Sequence, residues 1–259
     1  MKKMIIDTHI HIWNLEKVRY DWLDGDTSIL NRTYMFEELL PEIAASPVAS
    51  GILVQAANNL EDTDLMLNTV RRHQEITGIV GWLPLMKPDK VHTLLKERFL
   101  QTPYFKGVRH LIHNESDTKW LLQSEVIESL SILASNNIPF DVVGINDDHL
   151  RTAIAVGEKL PSLRMVLDHL NQPPVKSGER FGTWGALMKE IATNANVYAK
   201  ISGLGTASGN PAGWTAEDIS PCIAYVLDVF GTDRCFCGGD WQLYKTLGEI
   251  HAGYRCITE

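Results

Sequence analysis

The sequence predicts an α/β fold, specifically a single (β/α)8 TIM barrel spanning residues 1–259. Short β-branched runs alternate with helical patterns from one end of the chain to the other. The runs are Met4–His9, Gly51–Ala57, Gly78–Leu85, Lys106–Ile112, Pro139–Val143, Arg164–His169, Val197–Ser202 and Arg234–Gly238. Several are apolar almost throughout, as strands buried on both faces require. Eight β–α units in register close a parallel barrel, and a length of 259 residues matches the roughly 250 typical of that architecture. An open doubly wound sheet is the rival, but no Gly-x-Gly-x-x-Gly follows the first run.

The intervening segments carry apolar residues at helical spacing. Leu65, Leu67 and Val70 mark the second, Val91, Leu94, Leu95 and Phe99 the third, and Val126, Leu130, Leu133 and Ala134 the fourth. Asn146-Asp147-Asp148 supplies an N-cap for the fifth helix, and Thr215 to Asp218 reads as a capping box for the seventh. Two connections are long, about 12–34 after the first run and 203–214 after the seventh, and both fall where a barrel builds its active site. About twenty residues follow the eighth run, enough for a shortened last helical unit.

Composition narrows the function. Hydrophobic residues make up 44% and charged residues 22%, and the formal net charge is −8 with no basic cluster. Nucleic-acid binding needs a concentrated positive face, so that class is excluded. No stretch approaches the 18 apolar residues of a membrane span, and the opening Met1–Asp7 is too short to be a signal peptide. Four cysteines do not make a disulfide framework, and the expectation is a reduced, cytoplasmic protein acting on a small molecule, with a homo-oligomer compatible. Cys235-Phe-Cys237 lacks a second pair at zinc-site spacing and reads as barrel wall. No Gly-x-Ser-x-Gly elbow and no Walker A motif occur.

The strongest chemical signal is Asp7-Thr8-His9-Ile10-His11-Ile12-Trp13, at the end of the first run. Residues two apart on a strand share a face, so His9 and His11 point together into the mouth, where they suit a divalent metal or a polarised carbonyl. Two structural histidines beside a tryptophan are the plainer alternative. Asp240, in Cys237-Gly238-Gly239-Asp240-Trp241, follows the eighth run, which a closed barrel sets beside the first. A carboxylate there can ligate a metal, activate a water, or both. His169 ends the sixth run as a ligand or carbonyl-polarising group, while Asp168, one residue earlier, is expected to face the other way and brace the wall. Of Arg109 and His110, only one is expected to enter the mouth; Arg109 suits a substrate carboxylate or hydroxyls, or else a structural salt bridge. His113 is placed at the rim, and Asp141 and Lys200 are further inward-facing candidates. Trp13, Tyr104, Trp120 and Trp241 are candidates for stacking on a sugar face or for packing. His73, His92, His149 and His251 lie on helical segments and read as solvated.

Together, Asp-Thr-His9-Ile-His11-Ile-Trp13, Lys106-Gly-Val-Arg-His110, Val166-Leu-Asp-His169-Leu-Asn-Gln-Pro173 and Gly239-Asp240-Trp241 resemble the amidohydrolase-related family, closest to its sugar-lactone and dicarboxylate-lactone hydrolases. The resemblance implies a distorted TIM barrel that hydrolyses a lactone at its C-terminal mouth. It implies His9, His11, His169 and Asp240 as metal ligands and Asp240 and His169 as catalytic groups. Arg109, His110, His113, Trp13 and Trp241 are the expected substrate contacts. The expected cofactor is one divalent ion, zinc first, with a metal-free mechanism also open, in which the histidines donate hydrogen bonds to the oxyanion. Amide hydrolysis, non-oxidative decarboxylation and a non-enzymatic sugar-acid-binding role are the alternatives; the strand-one glutamate of decarboxylase relatives is not evident.

Overall fold

A computed structural model describes residues 5–175, 181–208 and 213–241 of the chain. Eight parallel strands lie in chain order around one sheet. They are β1 (Ile5–Ile10), β2 (Val48–Val54), β3 (Ile76–Gly81), β4 (Phe105–His110), β5 (Phe140–Val142), β6 (Met165–Leu167), β7 (Val197–Ile201) and β8 (Cys235–Cys237). The helices outside them are α1 (Leu40–Ala45), α2 (Leu60–Val70), α3 (Pro88–Glu97), α4 (Ser124–Ser135), α5 (Asp147–Lys159), α6 (Gly182–Ile191), α7 (Leu204–Ala207) and α8 (Ala216–Phe230). This is the (β/α)8 barrel that the alternation predicts. The expected short last helix lies outside the described residues.

Each helix buries the stripe its periodicity announces. Leu65, Leu67 and Val70 of α2, Val91 and Leu95 of α3, and Val126, Leu130 and Leu133 of α4 are all buried against the sheet. Asn146 caps α5 by accepting from the His149 amide, and Thr215 and Asp218 form the capping box of α8.

Two strands, β2 and β3, end three and four residues before their apolar runs do, because side chains take over the backbone donors. The run at 51–57 leaves the sheet after Val54: the Ala56 and Ala57 amides donate to the Asp62 carboxylate at 2.8 and 3.4 Å. The run at 78–85 stops at Gly81, and the Trp82 amide donates to Thr63 Oγ1. Asp62 and Thr63 sit in the first turn of α2, so the N-terminus of one helix terminates two neighbouring strands.

The barrel closes between β8 and β1 through a seam rather than a full ladder. Thr8 Oγ1 donates to the Cys237 carbonyl at 2.6 Å, the Asp240 amide donates to the His9 carbonyl at 2.8 Å, and Ile10 bridges Trp241. Asp7 Oδ1 accepts from two amides across this seam, His9 at 2.9 Å and Gly239 at 2.7 Å. The residues that close the barrel therefore also set the spacing of His9 and Asp240.

Candidate active site

Alternation along β1 turns Asp7, His9 and His11 to the inside, and all three are buried. His11 Nδ1 lies 2.8 Å from the Val54 carbonyl. A carbonyl only accepts, so this nitrogen carries the ring proton and Nε2 keeps its lone pair. That Nε2 sits 3.0 Å from His9 Nε2 and 3.6 Å from Asp240 Oδ1, and His9 Nε2 is 3.8 Å from the same oxygen. Asp240 Oδ1 is buried without a hydrogen-bond partner.

These three donor atoms fit a divalent cation. A tetrahedral zinc with bonds of about 2.0–2.1 Å sets its ligands roughly 3.3 Å apart. Ligation also needs neutral imidazole. Burial first, reinforced by the nearby cations, holds His9 well below the ordinary imidazole value, and burial with Arg109 pushes His11 down to about 3. Burial likewise holds the Asp240 carboxyl above the ordinary carboxylate range, although His169 and Arg109 pull it down.

His169 reaches this cluster by an irregular route. β6 ends at Leu167, and residues 169–172 all take left-handed backbone angles, with φ near +50°. Val166 is in register with inward-facing Asp141, so alternation keeps Asp168, two residues on, inside as well; the break falls at His169, and the expectation that Asp168 faces away from the mouth is overturned. Asp168 is fully buried inside the barrel, 2.8 Å from both Arg109 Nε and Lys200 Nζ and 3.6 Å from His9 Nδ1. Burial opposes its charge, but Lys200 and Arg109 outweigh that and hold its carboxyl below the ordinary range. The His169 ring lies 4.6 Å from that of His9, and its Nδ1 is 2.9 Å from Ser202 Oγ. The three-donor group ends at Asp240; His169 falls in a separate group with His9 and Asp168.

Two glycines make room for the cluster. A Cβ on Gly203 would lie 2.5 Å from His169 Nδ1 and 2.9 Å from Asp240 Oδ2, and this residue has φ of +62°. A Cβ on Gly238 would meet His9 Cβ at 2.4 Å.

Beside the donors is a cavity of about 210 Å³, lined by His11, Trp13, Trp22, Arg109, Leu111 and His113 among others. Of the expected substrate contacts, Arg109, Trp13 and His113 line this cavity. Arg109 also makes the structural bridge that was its alternative, since it pairs with Asp168 and donates through Nη1 to the Gln55 carbonyl. Trp13 is fixed by donating to the Arg32 carbonyl at 2.6 Å and packs edge-on to Trp22. Burial, then Arg109, pushes His113 down to about 4, so its ring is neutral at pH 7.

Other expected contacts fall elsewhere. His110 points away from the cavity: it accepts from Trp82 Nε1 at 3.0 Å, lies 2.7 Å from Glu115, and stacks on Trp120. Adjacent strand residues face opposite sides, and Arg109 takes the inner one. Trp241 is buried with its Nε1 on Glu42, outside the seam. Trp120 is occupied by His110, and Tyr104 precedes β4, at the far end of the barrel from the mouth. His149 is not solvated but buried in the first turn of α5. His251 lies outside the described residues.

Sequence reasoning passed over Asp7, Ser202 and Trp22. For Asp7 there was a signal, an acid two residues before His9 on the same face. Ser202 and Trp22 carry no local mark.

The amidohydrolase family model matches residues 6–245, nearly the whole chain. This chain belongs to the amidohydrolase family. Among its relatives is an L-fucono-1,5-lactonase of Burkholderia ambifaria, 28% identical over 245 residues that cover 95% of this chain and 82% of that protein. Among solved structures, an amidohydrolase from Burkholderia multivorans with bound zinc superposes with a TM-score of 0.86 at 26% identity, covering 99% of this amidohydrolase and 90% of that chain. A protein named a probable 2-pyrone-4,6-dicarboxylic acid hydrolase, from Acinetobacter baumannii with citric acid bound, matches with a TM-score of 0.77 over 98% of this chain and 91% of its own. At 14% identity that likeness concerns the fold. Among the described residues, no helix is long and apolar enough to cross a membrane.

Proposed function

We propose that this amidohydrolase opens a small sugar lactone, an aldonolactone, by hydrolysis of its ring ester. The observation that carries this reading is the convergence of His9 Nε2, His11 Nε2 and the unpartnered Asp240 Oδ1 beside a small cavity walled by Trp13, Trp22, Arg109 and His113. The 28%-identical fuconolactonase supports the substrate class, and makes L-fucono-1,5-lactone the first compound to try.

His9, His11 and Asp240 would hold one divalent ion, zinc being the first choice on donor type and spacing. Such an ion supplies carbonyl polarisation and an acidified water. Asp240 takes a proton from the attacking water as its oxygen bonds to the lactone carbonyl carbon. The carbon–ring oxygen bond then breaks, and the proton held at Asp240 is passed to the departing ring oxygen, giving an open hydroxy acid. Burial raises the carboxyl of Asp240, which suits both halves of this transfer. His169, oriented by Ser202, faces the same space and donates a hydrogen bond to the developing oxyanion. The aromatic rings of Trp13 and Trp22 offer a flat apolar surface to a sugar ring, with Arg109 and His113 as polar contacts for its hydroxyls.

The deciding experiment is a pH-indicator assay on a panel of five- and six-membered aldonolactones, with and without chelator. We expect turnover of at least one compound, loss of turnover with chelator, and a loss of at least about 10²–10⁴-fold in Asp240→Asn. Full activity in that variant would remove Asp240 from its role. Failure on every lactone with zinc added, together with CO₂ release from an aromatic acid, would replace hydrolysis with decarboxylation.

A further inference from the structure

His9 poses a problem that the metal donors do not solve. Its Nε2 faces His11 and Asp240, whereas its Nδ1 is buried with no hydrogen-bond partner. The group facing Nδ1 is Asp168 Oδ1, at 3.6 Å. Asp168 in turn is tied on both oxygens: Oδ1 lies 2.8 Å from Lys200 Nζ, and Oδ2 lies 2.8 Å from Arg109 Nε. Lys200 is itself braced by Asp141 Oδ2 at 2.6 Å. All of these side chains are buried, and they come from six of the eight strands or the residues just after them.

We propose that Asp168 is a positioning residue for the metal centre: it holds the Nδ1 proton of His9, so that Nε2 presents its lone pair to the ion, and Lys200 and Arg109 anchor it there. A histidine that ligates a metal through one nitrogen characteristically donates the other N–H to a carboxylate, which fixes the tautomer and the ring plane. In this chain His11 satisfies that requirement with the Val54 carbonyl, and Asp168 is the acceptor facing the corresponding nitrogen of His9. Asp168 also groups with His9 and His169 as a conceivable ligand set. Its two cationic neighbours argue against that use, because a carboxylate already held between a lysine and an arginine is a poor site for a further cation.

This inference rests on reading His9 as a metal ligand, and the test separates the two. Zinc affinity is measured by competition with a chromophoric chelator for the parent protein, Asp168→Asn and Lys200→Met. The ring tautomers of the metal-free parent, in which ligation does not force the proton's place, are read from the ¹⁵N shifts of its labelled histidines. We expect the parent to bind zinc, Asp168→Asn to bind it about 10–100-fold more weakly, and Lys200→Met to fall between the two. His9 should appear with its proton on Nδ1. If the parent binds zinc and Asp168→Asn matches it within twofold, Asp168 is not a positioning residue, while the site assignment stands. If the parent binds no zinc, the ligand assignment fails first and this proposal with it. Should Asp168→Asn not fold, the parent's tautomer decides alone: a proton on Nε2 of His9 overturns the proposal.

Discussion

Asp240 shows how one side chain can be costly to the fold and useful to the site. It is buried, its Oδ1 has no hydrogen-bond partner, and its backbone takes a left-handed conformation at φ of +55°. Burial lifts its carboxyl above the ordinary range of about 4, so the folded protein holds this proton more tightly than the unfolded chain does. The stability it contributes is therefore present at acid pH and is lost as pH rises. Above the pH at which the unfolded chain loses this proton, the group is a net cost to the metal-free protein. Asp240→Asn removes that cost, and without metal the variant should melt about 2–4 °C above the parent at pH 7, from roughly 1 kcal/mol of relief. The gap should close as pH falls to about 4. A variant that melts below the parent at pH 7 would show that the buried charge is already compensated. On the proposed mechanism the same exchange should lower turnover by at least about 10²–10⁴-fold, so stability and activity would move in opposite directions at this residue.

At the scale of elements, the seam between β1 and β8 decides whether the site exists. Ladder pairing accounts for every other strand junction, but here closure relies on Thr8, Asp7 and the amides of Gly239 and Asp240. Asp7 Oδ1 accepts from one amide on each side of the seam. Asp7→Ala leaves both amides buried and unsatisfied, at about 1–3 kcal/mol each. Thermal melting should therefore fall by several degrees, and zinc affinity should fall with it because His9 and Asp240 lose their common anchor. A change in melting with zinc affinity intact would mean that Asp7 serves closure alone. The seam was only partly legible beforehand. Gly238 and Gly239 announced a tight turn before Asp240, but nothing in β1 marked Asp7 as its partner 232 residues away.

Across the whole molecule, the barrel gathers charge that no single segment displays. The buried acids Asp7, Asp141, Asp168 and Asp240 outnumber the buried cations Arg109 and Lys200 around its interior, with His9 and His11 held neutral. A divalent cation would redress that excess. Because it binds only the assembled donors, it should stabilise the fold: free zinc at 100 times its dissociation constant contributes about 2.7 kcal/mol. For a domain of this size that corresponds to a rise of roughly 5–10 °C in melting temperature, reversed by chelator and absent in a His9→Ala, His11→Ala double variant. An unchanged melting temperature with saturating zinc would argue against a metal centre at these residues.

The architecture was legible from sequence because it depends on local and repeating features. Apolar runs of strand length, helical stripes such as Val126, Leu130 and Leu133, and caps such as Asn146 act within a few residues of themselves. His9 and His11 were legible for the same reason, since a two-residue spacing on a strand sets a shared face without reference to the rest of the chain. What the sequence could not reveal is where local rules yield to partners far along it. The left-handed turn that begins at His169 brings that ring back to the mouth, while Asp168 stays inside to meet Arg109, Lys200 and His9. His110 and Trp241 have the composition of site residues, but turn outward to Glu115 and Glu42. Burial, and with it the neutrality of the histidines and the raised carboxyl of Asp240, is a property of the closed barrel, because only tertiary packing removes the water that would otherwise solvate those charges.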